Sequence, residues 1–318
     1  MIWVAWRQQR WQFVSMAAVL VLGGAALLFT QLSMMNYLTE NGLTGCTLPD
    51  ATGCTGHASD FEYYDLLKNY ELAFLALPLV LGLFCGAPMF AKELESGTYV
   101  LALTQSVSRR RWLFTKLLVG VVPALVVVGV LQLLLAWCLT TAGQLGPLLE
   151  GTFKSVNYGS IGVVSLGYTV FTFSLGVLFG LITRRTVTAM AMTLGGFVAV
   201  RVALENVRQY IVPAQFAERP LGGEATVGGP WPRASVDLWI EDGLIKADGT
   251  RVTDFKGCYG VSDTAACYRE AGFTKTYREW LSGSQDYWTL QVIESGILLG
   301  LGVALLVVAA YWMRHRVQ

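Results

Sequence analysis

Charged residues are scarce in this sequence. Only 14% of its 318 residues are Asp, Glu, Lys or Arg, whereas an ordinary soluble domain has roughly 25%. Hydrophobic residues make up 54%, so a soluble fold of this length would have to bury nearly all of its residues. The composition therefore argues against an ordinary soluble domain.

Histidine is rare, and the common catalytic motifs are missing. The only histidines are His57 and His315, and neither lies in an apolar block. No lysine follows a glycine, which excludes a phosphate-binding loop ending in Gly-Lys-Ser/Thr, and neither His-Glu-x-x-His nor Gly-x-Ser-x-Gly occurs. We therefore expect no catalytic site, no metal site and no cofactor in this chain, so any work on a substrate must draw on a partner or an ion gradient.

Six apolar blocks each approach the ~20 residues that a helix needs to cross a bilayer core of about 30 Å. The blocks are 13–32, 72–90, 117–139, 161–182, 187–207 and 290–311. They predict an all-α membrane protein with six transmembrane helices. Pro78, Pro88 and Pro123 lie within these blocks, which membrane helices tolerate when neighbouring helices satisfy the freed backbone groups.

Residues 1–12 precede the first block and carry aromatic and basic side chains suited to the lipid headgroup region. These side chains are Trp3, Trp6, Arg7, Arg10 and Trp11. We expect an interfacial helix here, and a simple extension of the first span is the alternative. The first block is long for a signal peptide and no small-x-small cleavage site follows it, so we expect it to be retained.

Basic residues cluster in one set of connecting segments. With six spans, the N-terminus, 91–116, 183–186 and the C-terminal tail share one side, which has eleven Lys and Arg residues against only Glu93 and Glu95. The outer loop 33–71, on the opposite side, has one lysine and six acidic residues. The positive-inside rule therefore predicts that both termini are cytoplasmic.

The cysteines agree with this orientation. Cys46 and Cys54 fall in the first outer loop, and Cys258 and Cys267 fall in the last one. Close pairs on an oxidising face predict two short-range disulfides, Cys46–Cys54 and Cys258–Cys267. Four free thiols are the alternative.

Residues 210–286 form the largest extramembrane segment and predict a small extracellular α+β domain between spans five and six. Asp242-Gly243 and Asp248-Gly249 lie between β-favouring residues and predict the turns of a hairpin or meander. Residues 262–272 predict a short helix with Ser262 as its cap and Gly272 as its stop. The segment either covers the outer mouth or binds a substrate or partner. The predicted divisions of the chain are 1–12, 13–209, 210–286 and 287–318.

Three charged residues lie inside the last two predicted spans: Arg201, Glu205 and Glu294. Arg201 and Glu294 are both within about 13 Å of the outer interface, so we expect them to pair inside the bundle as a clasp at an outer gate. Glu205, four residues after Arg201, is the competing partner. The alternative is that Arg201 snorkels outward and Glu294 faces a wet cavity.

The segment between spans two and three carries the most specific pattern. Residues 91–116 read AKELESGTYVLALTQSVSRRRWLFTK. This resembles the loop of the ATP-binding-cassette type-2 permeases, in which Glu-x-Glu-x-Gly-Thr leads through a short helix into a Ser-Arg-rich stretch and a lysine. The matching residues are Glu93, Glu95, Gly97, Thr98, Ser108, Arg109 and Lys116. Residues 3–10 and 287–296 are similar to the single-domain permeases of actinobacteria.

The resemblance implies a permease subunit in a bacterial plasma membrane. It implies pairing with a second copy or a paralogous permease, and with two copies of a separate ABC ATPase that holds ATP and magnesium. The substrate class would be amphiphilic: a drug, antibiotic, lipid or peptide that is exported. Membrane lipids are the other expected partner, and nucleic acid is not.

Within that resemblance, 91–116 is the loop that couples the permease to its ATPase. We expect Glu93 and Glu95 to meet basic residues of the ATPase, and the run from Arg109 to Arg111 to hold anionic headgroups. Simple positive-inside anchoring is the alternative for that run. For the whole chain, the alternatives are a gradient-driven secondary transporter and a non-transporting membrane scaffold or sensor.

The charge asymmetry predicts that position 108 is cytoplasmic and position 249 is outside. In intact cells, a membrane-impermeant maleimide should label a Gly249→Cys variant directly, and a Ser108→Cys variant only after permeabilisation. The unsubstituted protein is the control for labelling of its own cysteines. Labelling in the reverse pattern would overturn the orientation.

Overall fold

A computed structural model describes residues 2–47, 61–97, 109–221, 237–258, 263–283 and 285–316. The helices are α1 Ile2–Glu40, α2 Tyr64–Leu81, α3 Pro88–Glu95, α4 Arg109–Ala142, α5 Ser155–Ser160, α6 Val164–Thr183, α7 Thr186–Val207, α8 Thr264–Glu270 and α9 Asp286–Arg316. A π-helical turn, Gly82–Gly86, joins α2 to α3. The strands are β1 Gln215–Pro220, β2 Leu238–Lys246, β3 Arg251–Val252 and β4 Phe273–Leu281.

Six helical segments among these residues are long and apolar enough to cross a membrane, which confirms the six predicted blocks. The segments are Gln9–Glu40, Tyr64–Glu95, Phe114–Leu145, Val164–Thr183, Thr186–Tyr210 and Asp286–Met313, called spans one to six below. Span two consists of α2, the π-turn and α3. The structure is therefore mainly helical, with a small antiparallel sheet near the C-terminus.

The chain divides into two compact units. The helical unit comprises Met1–Pro147, Ser155–Glu205 and Gln291–Gln318, and the second unit comprises Leu148–Lys154 and Asn206–Leu290. Span four is the centre of the helical unit, because 72% of its apolar window is buried against 22 to 39% in the other five spans. It packs against α2, the π-turn, α3 and α4.

The N-terminal segment differs from the expectation. Helix α1 runs without a break from Ile2 to Glu40, so residues 2–12 do not form a helix separate from span one. That stretch contains no proline, and nothing in it stops the helix at residue 12. The outer loop predicted over 33–71 is shorter, because α1 reaches Glu40 and α2 begins at Tyr64. An interfacial position for residues 1–12 stays a prediction.

The second unit contains a four-stranded antiparallel sheet in the order β1-β4-β2-β3. The predicted turn at Asp248-Gly249 joins β2 to β3, and Gly249 takes the left-handed conformation with φ of +85°. The carboxylate of Asp248 accepts a hydrogen bond from the backbone N–H of Thr250 at 2.9 Å, which lowers the pKa of Asp248. The side chain and the glycine thus fix the turn together.

The turn predicted at Asp242-Gly243 is wrong, because both residues lie inside β2. A Cβ on Gly243 would lie 2.5 Å from the carbonyl oxygen of Val252 and 2.9 Å from the ring of Tyr277. Glycine is therefore required by close packing on the sheet, and a sequence pattern cannot distinguish that use from a turn.

Tyr277 is fully buried on the sheet next to Gly243. Its hydroxyl donates to the carboxylate of Glu241 at 2.6 Å, and burial together with that contact raises the pKa of Tyr277 to about 12. The guanidinium of Arg251 lies 5.1 Å from the Tyr277 ring and 4.6 Å from the Phe216 ring. Because its pKa is raised, the hydroxyl of Tyr277 stays protonated at neutral pH and can donate to Glu241.

One of the two predicted disulfides falls among the described residues. Cys258 and Cys267 are bonded, with an S–S distance of 2.01 Å. Cys54 lies outside the described residues, so its pairing with Cys46 stays a prediction.

The short helix predicted over 262–272 is α8, which runs from Thr264 to Glu270. Ser262, the predicted cap, lies outside the described residues. Asp263 acts as the cap, and its Oδ1 accepts from the backbone N–H of Ala266 at 2.9 Å. Gly272, with φ of +86°, follows the helix as its predicted stop.

Candidate functional site

Two groups of polar contacts join different spans of the helical unit. The first, called the clamp, consists of Glu93, Glu95, Lys116 and Thr186. The second, called the polar cluster, consists of Tyr168, Arg201, Gln291 and Glu294. Each group connects residues that are far apart in the sequence.

The first half of the clamp is an ion pair between spans two and three. Glu93 lies at the end of α3, and its Oε1 is 2.5 Å from the Nζ of Lys116 in α4. The side chain of Lys116 is only 4% exposed and that of Glu93 16%. The ammonium also lies 5.1 Å from the centre of the Phe90 ring. The pair fixes the end of span two to the beginning of span three.

The second half of the clamp joins span two to span five. The Oε2 of Glu95 accepts hydrogen bonds from the backbone N–H of Thr186 at 3.1 Å and from its hydroxyl at 2.8 Å. Thr186 is the first residue of α7, where the N–H groups have no partner inside the helix. A carboxylate here is stabilised both by those donors and by the positive end of the helix dipole.

These contacts give the two glutamates a role within the chain, and their contact with an ATPase stays a prediction. We expected Glu93 and Glu95 to meet basic residues of an ATPase, but in the structure both carboxylates have partners within the chain. Glu93 is half-buried, whereas Glu95 is exposed and remains accessible to a partner. The sequence pattern identified Lys116 but missed Thr186, although a threonine that opens an apolar helix is a recognisable start signal.

The other residues of the matched segment are only partly described. Gly97 has φ of +70° and follows the end of α3, as expected for a helix stop. Arg109 is the first residue of α4. Thr98 and Ser108 lie outside the described residues, so the short helix expected between them stays a prediction.

In the polar cluster, Arg201 and Glu294 both contact Tyr168. The guanidinium of Arg201 lies 5.3 Å from the centre of the Tyr168 ring, and the hydroxyl of Tyr168 donates to Glu294 at 3.3 Å. Tyr168 and Glu294 are buried. Arg201 also donates from Nη2 to the carbonyl of Ser155 at 3.2 Å. Tyr168 therefore lies between the two charges, and the pairing of Arg201 with Glu294 stays a prediction.

Glu205, the competing partner considered for Arg201, is exposed one turn further along α7. Arg201 itself is half-buried. The side chain of Arg201 therefore contacts buried Tyr168, on the side of the bundle where Glu294 also lies, and Glu205 is exposed.

Gln291 completes the cluster one turn before Glu294. Its side chain is fully buried, accepts from the backbone N–H of Val164 at 2.9 Å, and donates to the carbonyls of Tyr158 at 3.0 Å and Ile161 at 3.2 Å. These groups flank Gly162. Its φ of +95° is not helical, so the backbone between α5 and α6 is not continuous helix. Span four therefore begins at Val164 and not at Ile161 as predicted.

Gln291 is uncharged, so the charged residues of the spans do not point to it. Gln132, in span three, has a similar role: its Nε2 donates to the carbonyl of Ser160 at 2.9 Å. Uncharged amides inside apolar blocks were the available signal, since a buried amide needs partners.

An open apolar groove of about 430 Å³, called the cavity below, lies along spans three, four and six, and Val122, Val126 and Leu299 in its lining are exposed. Its lining includes Val122, Val126, Leu166, Val170, Ser295 and Leu299. Ser295, which lines the cavity, is the next residue in the sequence after Glu294 of the polar cluster.

Among the described residues, no three His, Cys, Asp or Glu side chains are close enough together to hold a metal ion.

Breaking the ion pair of the clamp should destabilise the helical unit. Glu93→Gln leaves the buried ammonium of Lys116 without its counter-charge, and we expect a loss of about 3 kcal/mol. Adding Lys116→Met should recover most of it. Thermal unfolding in detergent measures both effects, with Glu95→Gln as the matched control, because Glu95 is exposed and its substitution should cost less than Glu93→Gln. Equal losses for Glu93→Gln and Glu95→Gln would contradict the assignment.

The polar cluster should give a non-additive double-mutant cycle. With Tyr168 present, Arg201→Gln and Glu294→Gln together should cost about 1 kcal/mol less than the sum of the single changes. In a Tyr168→Phe background, which keeps the ring and removes the hydroxyl, that coupling should fall. Arg201→Gln combined with Glu205→Gln is the control and should be additive. Additive losses in the first cycle would show that the two charges do not interact.

The model of the ABC-2 membrane transporter related family matches residues 17–208, about 60% of the chain, and thus spans one to five. No curated protein and no solved structure matches the sequence significantly. The matched region includes both glutamates of the clamp, Lys116 and Thr186. With more than half of its length matched, the chain belongs to the ABC-2 membrane transporter related family.

Proposed function

We propose that this transporter permease is the membrane-spanning subunit of an ATP-driven exporter, in which a separate ATPase binds ATP and magnesium and drives the transport. Two copies of the ATPase would bind a dimer of permeases, formed with a second copy or a paralogue. The chain would sit in the bacterial plasma membrane with both termini in the cytoplasm. The family and the six candidate spans support the permease role.

The clamp is the observation that supports coupling of this chain to an ATPase. Glu93 and Glu95 lie in one turn of α3, and they hold the ends of spans three and five through Lys116 and Thr186. A force on this end of span two therefore reaches three spans together. The segment 91–116, which carries the permease-like pattern, begins inside α3. The charge pattern predicts that the end of span two carrying the clamp is cytoplasmic.

The polar cluster and the cavity suit a substrate with polar and apolar parts. The cavity of about 430 Å³ is lined almost entirely by apolar side chains, with Ser295 as its polar member. Glu294, next to it in span six, belongs to the cluster with Tyr168 and Arg201. In this proposal the cavity takes an apolar moiety, and the cluster acts as a clasp that controls an outer gate. The exported class is therefore amphiphilic: a drug, antibiotic, lipid or peptide.

A gradient-driven secondary transporter is the second candidate. Such a transporter uses ionisable groups inside the membrane, and Glu71 and Glu294 are both fully buried in candidate spans. A dependence of transport on an ion gradient in the absence of ATP would favour this candidate over the first.

Co-purification and ATP hydrolysis test the proposal. Tagged permease isolated from its native membranes in mild detergent should retain an ATPase subunit, identified by mass spectrometry, and show vanadate-sensitive ATP hydrolysis in proteoliposomes. Thr186→Val removes one hydrogen bond from the clamp and should lower that hydrolysis about threefold to tenfold, as expected for a charge-assisted bond.

Thr140→Val is the matched control. Its hydroxyl donates to Trp137 within α4, away from the clamp, so hydrolysis should be unchanged. Absence of any co-purified ATPase, together with transport that an ionophore abolishes, would overturn the proposal in favour of the gradient-driven transporter.

A further inference from the structure

Span two is interrupted in its middle. A π-helical turn, Gly82–Gly86, replaces the α-helical hydrogen bonds, and the backbone N–H of Ala87 donates to the carbonyl of Gly82 at 2.9 Å. Pro78 precedes the turn by four residues, and Pro88 follows it by two. Prolines and π-turns are the usual causes of helix kinks, and π-turns are frequent at functional sites.

The interruption is held by side chains of two other spans. The hydroxyl of Thr172, in span four, lies 2.9 Å from the carbonyl oxygen of Pro78, and its single proton is shared with the carbonyls of Tyr168 at 2.8 Å and Thr169 at 3.1 Å in its own helix. The Nε2 of Gln12, in span one, donates to the carbonyl of Cys85 at 3.2 Å. One donor thus lies at each end of the irregular stretch. The carbonyl of Pro78 also accepts from the backbone N–H of Gly82, so Thr172 is a second donor to it. The two side-chain bonds attach the irregular stretch to spans one and four.

The packing around the turn involves backbone and small side chains. A Cβ on Gly176 would lie 2.7 Å from the backbone nitrogen of Ala87, and one on Gly180 would lie 2.8 Å from its carbonyl oxygen. Ala87 and Ala91 also pack with Ala189 of span five. Phe179 of span four and Met190 of span five pack against the same alanines. The small residues let the backbone of α3 lie directly against span four, so a movement of α3 has to be accommodated along this seam.

The segment beyond the turn carries the clamp. Helix α3 has only eight residues, from Pro88 to Glu95, and its last turn holds Glu93 and Glu95. A short rigid helix with an irregular turn at one end and two anchored carboxylates at the other has the geometry of a lever.

We propose that the π-turn of span two is a hinge on which α3 swings, and that Thr172 and Gln12 hold the hinge in its resting position. This inference rests on the proposed function, because the lever transmits the motion of the ATPase. When α3 moves, the clamp carries the ends of spans three and five with it, while α2 stays packed against span four. Gln12 and Thr172 are positioning residues for this motion.

Hydrogen–deuterium exchange of the full-length permease in lipid nanodiscs tests the hinge without any ATPase. Thr172→Val and Gln12→Leu each remove one donor, and the peptide covering residues 82–90 should then exchange about threefold to tenfold faster. Pro88→Ala restores a backbone N–H, and exchange in the same peptide should slow.

Matched control variants are available for each change. Thr193→Val removes a buried hydroxyl that donates to Ala189 within span five, and Gln31→Leu removes a buried amide that joins span one to Thr141 of span three. Pro123→Ala removes the proline inside α4. None of these should alter exchange at 82–90. Equal effects of controls and test variants, or no effect of the test variants, would overturn the hinge.

A second measurement separates the hinge from the proposed function. With the co-purified ATPase bound, a non-hydrolysable ATP analogue should change exchange at 82–90 relative to ADP, and Thr172→Val should reduce that nucleotide response. If the variants behave as expected but no ATPase binds, the hinge stands and the ATP-driven function fails. If an ATPase binds and hydrolyses ATP but exchange at 82–90 ignores the nucleotide, the hinge has no role in coupling and the inference fails.

Discussion

Backbone groups inside a bilayer have no water to bond, and this constraint organises the helical unit. Several irregularities that the structure describes in or beside the spans have a hydrogen bond to a polar side chain from another span. Gln291 serves the break at Gly162 before span four, Thr172 and Gln12 serve the π-turn of span two, and Glu95 serves the exposed N–H groups at the start of span five. A polar neighbour therefore supports the irregular backbone at these places, and these bonds help to fix which helices are neighbours.

Apolar packing alone gives little direction to such a bundle, because lipid tails are as apolar as leucine. The specific contacts are instead the polar bonds and the close approaches at small residues, such as Gly176 and Gly180 against Ala87. Most of them involve span two or span four, and span four is also the most buried of the six. A displacement of one helix is consequently passed on through a small number of identifiable contacts.

The clamp shows how a motif can serve within the chain as well as towards a partner. The pattern Glu-x-Glu-x-Gly-Thr suggests an acidic surface for docking, yet Glu93 and Glu95 hold Lys116 and Thr186. A partner that docks at this face therefore acts on a helix end that is already bound to two other spans. The acidic pair connects helices within the chain, and its contact with an ATPase stays a prediction.

Composition and local pattern were enough for the six spans, the turn at Asp248-Gly249 and the disulfide at Cys258, because bilayer thickness, turn geometry and short loops act on neighbouring residues. They were not enough for Gly243, where a Cβ would meet the carbonyl oxygen of Val252 and the ring of Tyr277. Nor did they reveal Gln291, because its partners lie more than 120 residues away. A hydrogen bond between distant residues leaves no periodic trace, so such contacts become identifiable only when the folded chain brings both groups together.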